Sequence, residues 1–228
     1  TDILVVKISE DDGSEIWSAF IGGDETDEGH DILPSANGGM FILGDTHSQG
    51  DTDGDIWILE LDSDGIIIDT LLINLPGKQI GYSFAQSDNG GFTIAGEISG
   101  SSGVIDALMV QVSGTGEVEW IFSYGGIYND IGYSLVYSDG GWVLAGQTYS
   151  YDIGSGDGWL LKVNIMGNFA WMQTYGDAYN DTAFDIDVAR DGGLIICGST
   201  YNIQDNQNAG WLIKTDSRGN YKGILSYP

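Results

Sequence analysis

The acidic run Asp51-Thr52-Asp53-Gly54-Asp55 is where residue types and spacing in this 228-residue chain most plainly suggest chemistry. Carboxylates at alternate positions around a glycine can wrap a hard cation, because Ca2+ takes about six to eight oxygens from a flexible loop. Here the glycine is the fourth residue of the run, and an apolar segment starting at Ile56 follows in place of a helix. The expectation is a Ca2+ site built from Asp51, Asp53 and Asp55. The alternative is a solvated turn in which Asp55 caps the strand after it.

Other catalytic signatures are missing. His30 and His47 are the only histidines, and they lack the His-x-x-x-His spacing of a zinc helix. There is no nucleophile elbow of the Gly-x-Ser-x-Gly kind and no phosphate-binding Gly-x-x-x-x-Gly-Lys. What does recur is acid beside aromatic residues. Asp27, Asp130 and Asp181 fall at one repeat position, with Gln79 as the fourth member, and Tyr128, Tyr149, Tyr151, Tyr179 and Tyr201 lie in or near the same loops. Tyrosine rings with carboxylates nearby suit a glycan- or protein-binding face, and the residues expected there are Asp27, Asp130, Asp181, Tyr128 and Tyr179. A carboxylate pair drawn from the same set would suit glycoside chemistry. A second series, Asp2, Asp55, Asp106 and Asp157, is broken by Ala209 and reads as carboxylates accepting backbone N–H bonds at corners.

Composition narrows the classes. With 34 Asp and Glu against 7 Lys and Arg, the net charge is −27, and such a surface repels nucleic acid and anionic membranes. It suits cation binding, a basic partner, or solvation outside the cell. No apolar run approaches the ~18 residues of a membrane helix. Cys197 is the single cysteine and has no internal disulfide partner; its apolar neighbours, Leu194, Ile195 and Ile196, mark it as a small core residue. The chain begins at Thr1, which reads as a processed form or an excised piece.

These candidates are positioned by a repeat of about 51 residues. Five hairpins of one kind turn at Gly13, Gly65, Gly116, Gly167 and Gly219. Between them lie four hairpins with a glycine doublet and a closing glycine, such as Gly140-Gly141-Trp-Val-Leu-Ala-Gly146, with Asn37, Asn89, Asp139 and Asp191 leading each doublet into a tight turn. Strands such as Trp159-Leu-Leu-Lys-Val163 are apolar at nearly every position, so both faces are covered. Four antiparallel strands per repeat, stacked face to face, make an all-β protein, a β-propeller. It comprises a half blade (2–22) and four full blades (27–75, 77–126, 128–177 and 179–228), as one domain or as part of a larger propeller.

The segment from Gly29-His30-Asp31-Ile32 through Gly38-Gly39-Met-Phe-Ile-Leu-Gly44 to Asp55-Ile-Trp-Ile-Leu-Glu-Leu-Asp62 resembles a kelch-type blade. Gly116-Glu-Val-Glu-Trp120 and Gly167-Asn-Phe-Ala-Trp171 resemble the tryptophan-docking strands of quinoprotein-type propellers. The resemblance covers the repeat architecture and implies that Trp17, Trp120 and Trp171 pack between blades. Asp69 and Gly223 depart from that pattern, so their junctions pack differently. No quinone-binding constellation is present. His30, at the start of a first strand, could face a central channel.

The reading that follows is a non-enzymatic, extracellular or cell-surface binding or assembly module with an acidic loop face, taking Ca2+, a glycan or a basic protein. Self-association through the unpaired first hairpin is a further expectation. The alternatives are a polysaccharide-acting propeller hydrolase or lyase with channel carboxylates, and a structural subunit of a surface layer or filament.

Overall fold

The computed structural model describes residues 1–50, 53–87, 90–100, 102–151, 155–202 and 206–227. Among them every regular element is a strand. A hairpin of β1 (Ile3–Ile8) and β2 (Glu15–Ile21) comes first. Four sheets of four strands follow. They are β3 (Asp27–Pro34) to β6 (Ile67–Ile73) through β4 (Met40–Thr46) and β5 (Asp55–Leu61), then β7 (Lys78–Gln86), β8 (Phe92–Ser99), β9 (Ile105–Val112) and β10 (Val118–Tyr124). The third sheet holds β11 (Asp130–Ser138), β12 (Gly141–Thr148), β13 (Asp157–Asn164) and β14 (Phe169–Tyr175). The fourth holds β15 (Asp181–Val188), β16 (Leu194–Asn202), β17 (Gln207–Thr215) and β18 (Tyr221–Tyr227). Within each sheet strands neighbour in chain order and pair antiparallel. This is a β-propeller pattern of four full blades and one half blade. The chain forms two compact units, residues 1–82 and 83–228, and the boundary falls inside β7.

In the first unit Ile3, Val5 and Ile21 of the hairpin form one core with Ile42, Trp57, Leu59 and Leu61 of the first blade. The Trp17 indole N–H donates to Ser63 O at 3.1 Å, and its ring lies where a Cβ on Gly65 would be. The second unit repeats the device. Trp120 donates to Ile165 O at 3.2 Å and packs on Gly167, while Trp171 packs on Gly219; Tyr124 and Tyr175 hydroxyls donate to Gly167 O and Gly219 O, each at 2.5 Å. Thus Trp17, Trp120 and Trp171 each dock on the outer turn of the next blade. The turn expected from Asp139-Gly140 has φ of 44° and 72° at those two residues, the left-handed pair of a two-residue hairpin joining Ser138 and Gly141. Every residue of β12 is buried, and all of β13 but Asn164. The expectation for Cys197 is corrected: it is exposed, because β16 alternates here and the buried places go to Leu194 and Ile196.

Glycine at the end of the second strand is fixed by the first strand. An added Cβ would stand 1.8 Å from Ile131 O at Gly146, 1.8 Å from Thr182 O at Gly198 and 2.2 Å from Glu28 O at Gly44. The same carbonyls of Ile131 and Thr182 accept the indole N–H of Trp159 and Trp211, both at 3.0 Å. Gly146→Ala is therefore expected to cost about 2–3 kcal/mol of stability. Gly210→Ala, whose Cβ would meet nothing within 4 Å, should change stability by less than about 0.5 kcal/mol. Urea melts of the two variants check this.

Candidate functional site

The first strands of three blades carry one residue more than their neighbours. Register shifts fall between Gly29 and Asp31, between Gly132 and Ser134, and between Ala183 and Asp185, so the extra residues are His30, Tyr133 and Phe184. Tyr82 of β7 holds the same repeat position. A bulge re-aims a side chain that a regular ladder would have placed on a packed face, which is why bulges gather at functional edges. All four bulge-position residues are rings. Within the first unit His30 meets Tyr82 edge-on, with centroids 5.5 Å apart; within the second, Tyr133 and Phe184 are 5.6 Å apart. The residue after each second-strand glycine supplies a polar neighbour: Asp45, Glu97 and Gln147 are all buried.

In the first unit these positions make a compact group. Glu28 and Asp45 are cross-strand partners on β3 and β4, and His30 and His47 lie two residues further along the chain from each. His30 Nε2 is 2.5 Å from Asp45 Oδ1, and His47 Nε2 is 3.8 Å from Asp45 Oδ2. Ligand atoms of Glu28, His30 and Asp45 all lie within 4.8 Å of one another, the arrangement that could hold a metal ion. Gly54 presses on the His47 ring, where its Cβ would be 3.0 Å from Cε1. A cleft of about 550 Å³ between β1 and β3 is lined by Asp2, Asp27, Glu28, His30 and Asp31.

In the second unit the exposed Phe184 and half-buried Tyr133 form an aromatic pair beside Glu97. Burial pushes the Tyr133 hydroxyl up from its ordinary value, and the Glu97 charge and Tyr149 push the same way. Ser134 donates to Asp185 Oδ1 at 2.7 Å, which places a second carboxylate on the strand that carries Phe184. Two aromatic rings and a buried carboxyl therefore share one surface.

The loop acids singled out from the sequence are placed differently. Asp27, Asp130 and Asp181 are buried. Asp27 accepts from Gly23 N at 2.9 Å, Ser48 Oγ at 2.8 Å and the Thr46 hydroxyl; Asp130 accepts from Gly126 N at 2.9 Å, Ser150 Oγ at 2.6 Å and the Thr148 hydroxyl. Asp181 accepts from Asp177 N at 3.0 Å, and Gln79 Oε1 does the same for Leu75 N. Burial alone would raise the Asp27 carboxyl, but the hydrogen bonds from Thr46, Gly23 and Ser48 outweigh it and hold it below the usual range. Tyr128 is 58% exposed, and half-buried Tyr179 packs on Tyr201 at 5.4 Å. Asp53 is exposed and Asp55 is buried at the start of β5, while Asp51 lies outside the described residues.

The two acidic series meet in pairs. Asp106 and Asp130 both face Gly125, Asp157 and Asp181 face Gly176, and Asp2 and Asp27 face Gly22. Burial raises the Asp106 carboxyl, and the charge of Asp130 adds to the shift. A carboxyl raised in the folded state favours folding when protonated, so that contribution is full below the unfolded value near 3.8 and is lost as pH rises through the folded value. Asp106→Asn should therefore raise the thermal midpoint at neutral pH by roughly 1–3 °C. The gap to the parent protein should close below about pH 4. Paired melts across pH check both statements.

No family model matches the sequence, and no curated protein matches it. Solved structures do. A subtype N10 neuraminidase-like protein from a little yellow-shouldered bat isolate aligns with a TM-score of 0.51 at 10% identity, over 83% of this chain and 55% of that one. A Bifidobacterium bifidum protein described provisionally as an exo-beta-1,3-galactanase aligns at 0.50 and 13% identity, over 86% and 70%. A single-site variant of Synechocystis apocarotenoid oxygenase aligns at 0.52 and 12%, over 97% and 55%. This chain thus spans little more than half of two of these proteins. At such identities the likeness shows the propeller fold alone.

The expectation of a non-enzymatic module is corrected by these matches, since the similar propellers carry the names of enzymes or of an enzyme-like protein. The expectation rested on missing contiguous motifs. Within each unit, single residues drawn from the first and second strands of separate blades leave no such motif. Tyr82, Tyr133, Phe184, Asp45 and Glu97 escaped the sequence reading for this reason. Their signal was an aromatic residue following the small residue at Gly29, Gly81, Gly132 and Ala183, visible only once the repeats are aligned.

Proposed function

We propose that this chain is a polysaccharide-acting propeller whose reactive surface lies on the second unit. The observation that carries the reading is the Tyr133–Phe184 ring pair beside the buried carboxyl of Glu97. Aromatic faces stack on the apolar faces of sugar rings, and a buried carboxyl next to such a platform can donate or accept a proton at a glycosidic bond. Asp185, held by Ser134, is the second carboxylate that glycoside chemistry requires. The galactanase and neuraminidase-like names among the similar structures support the substrate class. The charge of −27 and the single cysteine fit work outside the cell on a neutral or cationic polymer.

Incubation with neutral polysaccharides, galactans first, should release new chain ends. Glu97→Gln should slow release about 10²–10⁴-fold while the polymer still binds. An inactive parent protein, or a Glu97→Gln variant as fast as the parent, contradicts the reading.

A further inference from the structure

The geometry points to a divalent transition-metal site in the first unit, formed by Glu28, His30, Asp45 and His47 and taking Zn2+ or a similar late first-row ion. The inference stands apart from the proposed glycan chemistry, because none of these residues belongs to the Tyr133–Phe184 surface. Both histidines of the chain converge on one buried carboxylate. Glu28 stands opposite Asp45 on the antiparallel β3 and β4, so His30 and His47, two residues beyond each, approach the Asp45 carboxylate from opposite ends of that pair.

Spacing agrees with coordination. Zinc–nitrogen and zinc–oxygen bonds of about 2.0–2.2 Å in a tetrahedron set ligand atoms roughly 3.3 Å apart. The ligand atoms of Glu28, His30 and Asp45 lie within 4.8 Å of one another, close enough to share one ion, and His47 Nε2 stands at the edge of that group, 3.8 Å from the other Asp45 oxygen. Two imidazole nitrogens select Zn2+ and its neighbours over Ca2+, which prefers oxygen throughout. The rings are also held in place, His47 by Gly54 and His30 by the Tyr82 ring at 74°. Side-chain exposures of 19% for His30 and 29% for His47, against 5% for Asp45, leave the front open to an entering ion and to water as a further ligand. A bare His30–Asp45 ion pair would explain the shorter distance but gives no reason for His47 to share the same carboxylate.

The test uses the full chain, stripped with a chelator and titrated with Zn2+ against a chromophoric competitor. One ion per chain should bind, His30→Ala and His47→Ala should each weaken it at least tenfold, and excess Ca2+ should not displace it. Co2+ should give visible absorption bands of a four- or five-coordinate nitrogen–oxygen site, lost in the same variants. Asp53→Asn, on the exposed loop nearby, should bind like the parent protein. Absence of stoichiometric binding, parent-like affinity in the two histidine variants, or loss of binding in Asp53→Asn alone would overturn the assignment. Both histidines are partly exposed, so far-UV circular dichroism of the variants should match the parent and exclude unfolding as the cause.

Discussion

Inserting one residue into the first strand of a blade displaces a carbonyl from the ladder, and a buried, unsatisfied carbonyl costs roughly 1–3 kcal/mol. At Ile131 and Thr182 that carbonyl is met by the indole N–H of a third-strand tryptophan, which reaches across the second strand. It can do so only because Gly146 and Gly198 have no side chain there. Bulge, glycine and tryptophan are thus one device. Its product is a ring turned out of the ladder at Tyr133 or Phe184, beside the polar residue that follows the glycine.

Much of the scaffold was legible in the sequence because it rests on local chemistry repeated at a fixed period. The doublet at Gly140-Gly141, led by Asp139, marks a two-residue hairpin because few residues tolerate two successive positive φ values. Docking of Trp17, Trp120 and Trp171 was implied by the resemblance of their strands to the tryptophan-docking strands of other propellers. The site was harder to see. A bulge is a property of two strands in register, so nothing in Gly132-Tyr133-Ser134 by itself says that Tyr133 is the extra residue. The loop acids misled in the opposite way. Asp27 and Asp130 looked like an exposed face, yet each is turned inward by three donors that lie four residues before it and about twenty after.

Much of the net charge is likewise turned inward on the chain's own backbone. Several acids close turns: Asp62 Oδ1 accepts from Asp64 N and Ile66 N, and Asp216 Oδ1 from Arg218 N and Asn220 N, a role that Asn164 fills without charge. Others staple loops from the first position of a blade. A charge of −27 therefore overstates the acid available to a ligand. Asp45 and Glu97, two buried carboxylates, stand next to rings at bulge positions.

The central claim is that ligand recognition lies at the bulged first strands rather than on the loop face. Titration calorimetry with a bound oligosaccharide decides between them. The double variant Tyr133→Ala/Phe184→Ala should lose at least tenfold in affinity, given about 1 kcal/mol or more for each stacked ring. Tyr128→Ala/Tyr179→Ala should bind like the parent protein. The reverse outcome, with binding lost only in the loop variant, would contradict the account.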